Sequence, residues 1–220
     1  MQTMPLGQNP DTFRLNRPKQ HYKRLFDLSV GTMLLFASLP VLFLIAIVLK
    51  CDHRGPILFK QRRVGYLGRP FNIYKFRTLP DLAPNKPHLV PTKFCHFLRR
   101  WGLDELPQLF NVIRGDMSLV GPRPHTIDDD RKFAWYSSQY DTRHQVKPGI
   151  TGLAQLYGWR GSVQSALDLQ SRLDCDLLYI DQQSLRADMF ILLRTISRPR
   201  CWVNGPQRTT HIPLSQCNAG

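Results

Sequence analysis

The 22 residues from Leu28 to Leu49 carry no charged side chain, and that run limits the folds open to this 220-residue chain more than any other feature. As a helix rising about 1.5 Å per residue, it would span a hydrocarbon core of roughly 30 Å. A helix apolar on every face is hard to cover inside one small domain, so membrane insertion is expected in preference to a buried core helix. A long polar stretch precedes the run and no small-residue cleavage site closes it. Both facts argue against a removable secretory signal.

The flanks constrain the topology. Arg14, Arg17, Lys19, Lys23 and Arg24 stand before the run, and Lys50, Arg54, Lys60, Arg62 and Arg63 follow it. Lys and Arg mark the cytoplasmic side, so a straight crossing would strand one cluster on the wrong face. Pro40 lies near the middle, where it removes a helical N–H bond and crowds the preceding turn. A helix-break-helix that enters and returns satisfies both observations, with the Ser38 hydroxyl bonding a carbonyl freed by the break. An ordinary kinked crossing is the competing arrangement.

The size allows one catalytic domain rather than two. Lys and Arg number 30 against 16 Asp and Glu, a formal charge of +14, which calls for anionic partners: nucleic acid, lipid head groups or phosphorylated substrates. The five cysteines are scattered without a paired C-x-x-C pattern, and the histidines form no H-E-x-x-H motif. A disulfide scaffold, a structural zinc site and a histidine-based metal site are therefore not expected.

Beyond the apolar run, Ile57-Leu58-Phe59, the turn Gly65–Pro70 and Phe71–Phe76 predict a small β-hairpin. The segment Leu79–Pro91, with four prolines, predicts a surface loop. Helix resumes near Thr92, a suitable cap, and ends at Gly102. A further helix is expected to begin at Asp104, because Pro107 is tolerated only in a first turn. Asp104 would then sit at or beside the cap, where free N–H groups and the helix dipole keep a carboxylate ionised, as a nucleophile toward phosphorus requires. Capping alone explains the residue equally well. Downstream, Arg123 stands between Pro122 and Pro124 after the Gly121 turn, a setting that orders a guanidinium for a diphosphate; a plain exposed turn is the alternative.

Together these blocks resemble the bacterial sugar transferase family, the monotopic phosphoglycosyl transferases, over roughly residues 23 to 195. The resemblance is carried by Lys23, Arg24 and Asp27, the Pro40 segment, Gly55–Gly65, and Tyr74-Lys75-Phe76-Arg77-Thr78. It continues through Leu103-Asp104-Glu105-Leu106-Pro107-Gln108-Leu109, Gly121-Pro122-Arg123-Pro124, Arg143, Lys147–Gln155, Asp176–Ile180 and Asp188-Met189.

The resemblance implies an α+β, mainly helical fold: an N-terminal re-entrant membrane helix-hairpin and a small cytoplasmic catalytic domain lying on the membrane surface. The expected division is a disordered or flexible N-terminal segment over residues 1–22, the hairpin over 23–50, the catalytic domain over 51–200 and a C-terminal tail over 201–220. Asp104 would attack the β-phosphorus of a UDP-sugar, releasing UMP, and undecaprenyl phosphate would take the sugar phosphate, galactose or glucose 1-phosphate, to prime exopolysaccharide or O-antigen synthesis. Glu105 would complete the dyad and, with Asp104, hold Mg²⁺. Arg123, Lys75, Arg77, Arg99 and Arg143 would contact substrate phosphates. The expected setting is the bacterial inner membrane among its lipids, with the domain facing the cytoplasm; a homodimer is one assembly this allows.

Leu82–Pro91 replaces the Asp-Pro-Arg-like segment usual in the family, and Leu79 replaces its methionine. The competing readings are a basic membrane-bound nucleic-acid binder and an inactive membrane scaffold. The first lacks a helix-turn-helix or zinc-ligand signature and a single basic stripe, so no nucleic acid is expected as partner. The second does not account for an intact Asp104, Glu105 and Arg123.

Overall fold

A computed structural model describes residues 17–52, 55–79 and 91–197. The expected tail over 201–220, most of the Pro-rich loop, and residues 1–16 of the expected flexible segment lie outside these. The first element is helix α1, Arg17–Asp52, which takes in residues 17–22 of that segment. Pro40 sits inside α1 without interrupting it, whereas the sequence predicts two arms parted there. The Ser38 hydroxyl donates to the Leu35 carbonyl at 2.9 Å within the continuous helix, not to a carbonyl freed by Pro40, which would be that of Phe36.

The two ends of α1 pack on different parts of the domain. Phe26, Val30, Leu34 and Leu35 join the main core around Val112, Leu119 and Tyr179, while Ile45 and Leu49 join a second cluster with Phe76, Cys95 and Leu98. A fully buried leucine such as Leu98 contributes about 1.5–3 kcal/mol by leaving water. Between these contacts Phe36, Leu39, Val41, Phe43 and Leu44 are exposed.

The expected hairpin is present. Strands β1 (Leu58–Val64) and β2 (Pro70–Phe76) pair antiparallel with Leu58 opposite Phe76 and Lys60 opposite Tyr74. Helix α2 (Lys93–Trp101) is capped by Thr92, whose hydroxyl accepts from Cys95 N, and ends at Gly102 in the left-handed region, φ 66°. Both features were legible, since a hydroxyl cap and a left-handed glycine answer the unpaired groups at helix ends. Helix α3 (Gln108–Arg114) follows, then strand β3 (Ser118–Val120) and helix α4 (Ile127–Tyr136). Strand β4 (Gly149–Thr151) runs parallel to β3, pairing Ser118 with Gly149 and Val120 with Thr151. Helices α5 (Leu153–Leu156), α6 (Ala166–Asp181) and α7 (Leu185–Ser197) complete the domain. Helix α7 buries Asp188 and Ile191 and leaves Met189, Phe190 and Leu193 exposed.

Buried carboxylates tie α1 to this domain. Asp27 accepts bonds from the Ser118 hydroxyl (3.0 Å) and Leu119 N (3.1 Å) of β3. Asp188, fully buried, receives Lys23 Nζ at 2.7 Å and the Tyr179 hydroxyl at 2.7 Å. Removing one partner of such a pair leaves the other buried and unanswered. Asp188→Ala is therefore expected to destabilise the protein by about 3–5 kcal/mol, measured as a lowered unfolding midpoint; an unchanged midpoint would refute the tie between α1 and α7.

Candidate active site

Asp104 and Glu105 lie in a single 3₁₀ turn, Leu103–Glu105, between α2 and α3. The sequence predicts a helix from Asp104. Instead the α-helix starts at Gln108, behind Pro107, and the Asp104 side chain caps nothing. The turn points the two neighbouring carboxylates into different surroundings.

Glu105 is 4% exposed and surrounded by cations. Its Oε1 receives Lys75 Nζ and Arg123 Nη2, each at 2.8 Å, and its Oε2 receives Arg123 Nη1 at 3.3 Å and Arg160 Nη2 at 3.2 Å. Burial alone would push this carboxyl up. The charges of Arg123, Lys75 and Arg160 outweigh burial and hold it well below the usual carboxylate range. Asp104 is half-buried and accepts no hydrogen bond among the described residues. Burial first and the Glu105 charge second raise it to about 6, against the pull of Lys75, Arg160 and Arg123. The helix dipole expected from the sequence to keep Asp104 acidic does not govern it. At neutral pH Asp104 is still mostly ionised, as a weakly held charge.

Each cation is positioned by its own local structure. Lys75 lies on β2, which Asn111 of α3 fixes by accepting from Tyr74 N (3.1 Å) and donating to the Asn72 carbonyl (2.7 Å). Burial lowers the Lys75 ammonium, and Glu105 only partly restores it. The Arg123 loop is held on both sides: Gly149 N donates to the Pro122 carbonyl at 2.9 Å, and Arg63 to the Pro124 carbonyl at 3.3 Å. Arg160 follows Gly158, whose φ of 89° turns the chain after α5, and Arg172 steadies that turn through the Gly161 carbonyl at 2.8 Å. Burial lowers Arg160 to about 10, so it remains charged at neutral pH.

The structure thus brings together Asp104, Glu105, Lys75 and Arg123 of the sequence-predicted set and adds Arg160. Arg77 continues from β2, its N–H bonded to the Ile57 carbonyl. Arg99 is exposed in the last turn of α2, and no bond joins it to the dyad among the described residues.

Arg143 differs from the sequence expectation. All five of its N–H donors are engaged within the protein: Nε and Nη2 on Asp176, Nη2 also on the Arg123 carbonyl at 2.7 Å, and Nη1 on His125 and Tyr140. None remains for a phosphate, so Arg143 is a positioning residue behind Arg123. His125 beside it stays neutral, because burial and the surrounding arginines depress its pKa well below the ordinary value.

The residues fit Mg²⁺ only in part. No group of three or more metal-ligating acidic, histidine or cysteine side chains occurs among the described residues. Both Glu105 oxygens are occupied by cations, which would repel a metal. Asp104 remains, and one carboxylate plus substrate phosphates is an arrangement that Mg²⁺ accepts.

Residues 18–199 match the family model described as bacterial sugar transferase. The chain belongs to the bacterial sugar transferase family. It is 39% identical over 200 residues to the UDP-glucose:undecaprenyl-phosphate glucose-1-phosphate transferase of Klebsiella pneumoniae, covering 88% of this chain and 42% of that protein. It is 44% identical over 187 residues to the undecaprenyl-phosphate glucose phosphotransferase of Komagataeibacter xylinus, covering 80% of this chain and 35% of that protein. With the uncharacterized sugar transferase EpsL of Bacillus subtilis it shares 41% over 196 residues, covering 86% of this chain and 92% of the relative. This sugar transferase chain therefore spans less than half the length of the first two relatives and nearly all of the third.

The raised pKa of Asp104 has a consequence for stability. The unfolded chain releases this proton near 3.8 and the folded chain near 6, so the fold is penalised as pH rises through that interval, and in full above it. Asp104→Asn is expected to stabilise the protein by about 1–3 kcal/mol at pH 7.5 and to have no such effect near pH 4. Unfolding midpoints at the two pH values check this; equal effects would show that Asp104 carries no charge penalty.

Proposed function

We propose that this sugar transferase moves a hexose 1-phosphate from a UDP-sugar to undecaprenyl phosphate, releasing UMP and priming polysaccharide synthesis. The observation that carries the proposal is the division of labour in the dyad. Glu105 gathers three cations into a preformed anion site, and Asp104 beside it is an ionised carboxylate without a hydrogen-bond partner among the described residues. Relatives named for the transfer of glucose 1-phosphate or glucose phosphate favour glucose over galactose. The convergence of Lys75, Arg123 and Arg160 on one buried carboxylate gives no support to a nucleic-acid binder, whose cations would line an exposed stripe.

In the reaction an oxygen of Asp104 attacks the β-phosphorus of the UDP-sugar. A carboxylate–phosphorus bond forms as the bond from that phosphorus to the UMP oxygen breaks, and UMP leaves with the electron pair. A phosphate oxygen of undecaprenyl phosphate then attacks the same phosphorus and frees Asp104. No proton need move in either step. Lys75, Arg123 and Arg160 meet the diphosphate with charges already in place, which saves reorganisation in the transition state. Mg²⁺, held by Asp104 and the substrate phosphates, would neutralise diphosphate charge and stabilise the departing oxygen.

The setting we propose is a re-entrant α1 with the domain on the cytoplasmic face of a bacterial inner membrane. Support comes from basic residues at both ends of α1, from the packing of both ends on one domain, and from the exposed apolar stretch around Pro40. From Asp27 to Leu49 a straight helix covers about 33 Å, which would carry its ends to opposite faces of the hydrocarbon core. Exposed apolar side chains on α2 and α7, such as Phe97, Trp101, Met189 and Phe190, suit contact with the bilayer surface.

The purified protein, supplied with undecaprenyl phosphate, Mg²⁺ and a panel of UDP-sugars, is expected to release UMP with UDP-glucose. The rate should fall about tenfold per pH unit below about 6 as Asp104 protonates. Asp104→Asn should release no UMP and trap no sugar-phosphate adduct. An adduct on another residue, or no release from any sugar by folded protein, would overturn the assignment. For topology, the exposed Cys51 and a Gln20→Cys variant should both react with an impermeant thiol reagent from the cytoplasmic face only. Labelling from opposite faces would replace the re-entrant helix with a crossing one.

A further inference from the structure

A cavity of about 340 Å³ opens at the N-terminal end of α1, lined in part by His21, Lys23, Arg24, Tyr66, Gln145 and Lys147. It shares no lining residue with the site built from Lys75, Asp104, Glu105, Arg123 and Arg160. Its volume falls at the lower end of the range of small-molecule sites, about 300–1,000 Å³.

Its charges are arranged unevenly. Lys23 is engaged with Asp188. Arg24 donates to the Val112 and Ile113 carbonyls at the end of α3, at 2.6 and 2.8 Å, so two of its five donors are used in these bonds. The carboxylate on the wall, Asp27, is committed to Ser118 and Leu119 of β3 and lies 3.9 Å from Lys23. Lys147 makes no hydrogen bond or ion pair among the described residues. Burial, then the like charge of Arg24, lowers its pKa; Asp27 and Asp116 offset this only in part. The side-chain oxygen of Gln145 is buried without a hydrogen-bond partner, and rotation of that amide would present its NH₂ instead.

We infer that this cavity is a second anion site, taking a phosphate group against Lys147, Arg24 and the Gln145 amide, separate from the catalytic dyad. An ammonium without a partner among the described residues, beside a guanidinium with donors to spare, is a phosphate-binding arrangement. Its place favours a phosphate carried on a lipid. Lys23 and Arg24 lie within about 8 Å along the helix of Leu28, where the apolar run begins, and Leu25, Met33 and Phe36 of α1 are exposed. Basic pockets beside a membrane helix on the cytoplasmic side hold phospholipid head groups in this way.

The test uses the full chain in detergent micelles, with dioleoyl phosphatidic acid, dioleoyl phosphatidylcholine and inorganic phosphate as probes and native mass spectrometry as the readout. One phosphatidic acid is expected to be retained in preference to phosphatidylcholine. Lys147→Gln should weaken that binding at least about tenfold, Lys147→Arg should restore it, and Arg123→Gln should leave it unchanged. Failure of inorganic phosphate to compete identifies a lipid head group. Equal competition identifies a soluble phosphate on the same residues, and either result supports the anion site. Retention of no anion by folded protein, binding insensitive to Lys147→Gln, or binding lost in Arg123→Gln would overturn it.

Discussion

Three cations from separate parts of the chain meet on the carboxylate of Glu105, and the architecture around the site depends on that meeting. Lys75 arrives on β2, Arg123 on a loop after β3, and Arg160 on the turn after α5. Taking ions out of water costs several kcal/mol each, and their attraction repays this only with good geometry. One carboxylate cannot balance three cations, so the cluster is built with positive charge in excess. Such an excess is poor design for stability alone. It suits a site whose ligand supplies the missing negative charge.

The supports behind the cluster follow from the same requirement. A guanidinium held against Glu105 needs a fixed backbone, and the Arg123 loop gets one from its flanking prolines, from Gly149 N and from Arg143. Arg143 is itself locked by Asp176, Tyr140 and His125. His125 can sit among arginines only because it is neutral. Lys75 is fixed through Asn111, whose amide bonds the Asn72 carbonyl and the Tyr74 N–H along one edge of β2. At the other side of the domain, Asp27 and Asp188 bind the apolar helix α1 to β3, α6 and α7, so the positions of α1 and of the domain are mechanically linked.

Much of this was legible in the sequence where a local rule applied. Gly102 had to be left-handed to close α2, Thr92 had to cap it, and the Gly65–Pro70 turn had to return β1 as β2. Asp104 and Arg123 were visible because their neighbours restrict the backbone, and the role of Glu105 was implied by the family resemblance. What local rules could not supply was the use of long-range donors. The resemblance offers Arg143 as a phosphate contact, yet every donor it has is spent on partners up to 33 residues away. Arg160 was missed because Trp159-Arg160-Gly161 carries no motif; the glycines on either side, Gly158 and Gly161, were the one signal that this arginine is held in a turn. The parallel pairing of β3 with β4 was hidden because three-residue strands are too short to show a period.

The placement of Asp104 is where the local rule failed for an instructive reason. Capping predicts a carboxylate that helix N–H groups hold ionised, as a nucleophile toward phosphorus requires. The chain instead spends a 3₁₀ turn and Pro107 before starting α3, which removes Asp104 from those N–H groups and leaves it beside a second, better-paired carboxylate. Two adjacent acids are thereby driven apart: Glu105 far down by three cations, Asp104 up to about 6 by burial and by Glu105 itself. Opposite shifts in neighbouring carboxyls are the mark of divided roles. Under the proposed reaction, the carboxylate that organises positive charge is unsuited to attack phosphorus, because its lone pairs are bonded. The one proposed to attack has to be ionised yet free of such bonds, and a neighbour that absorbs the cations is what leaves it so.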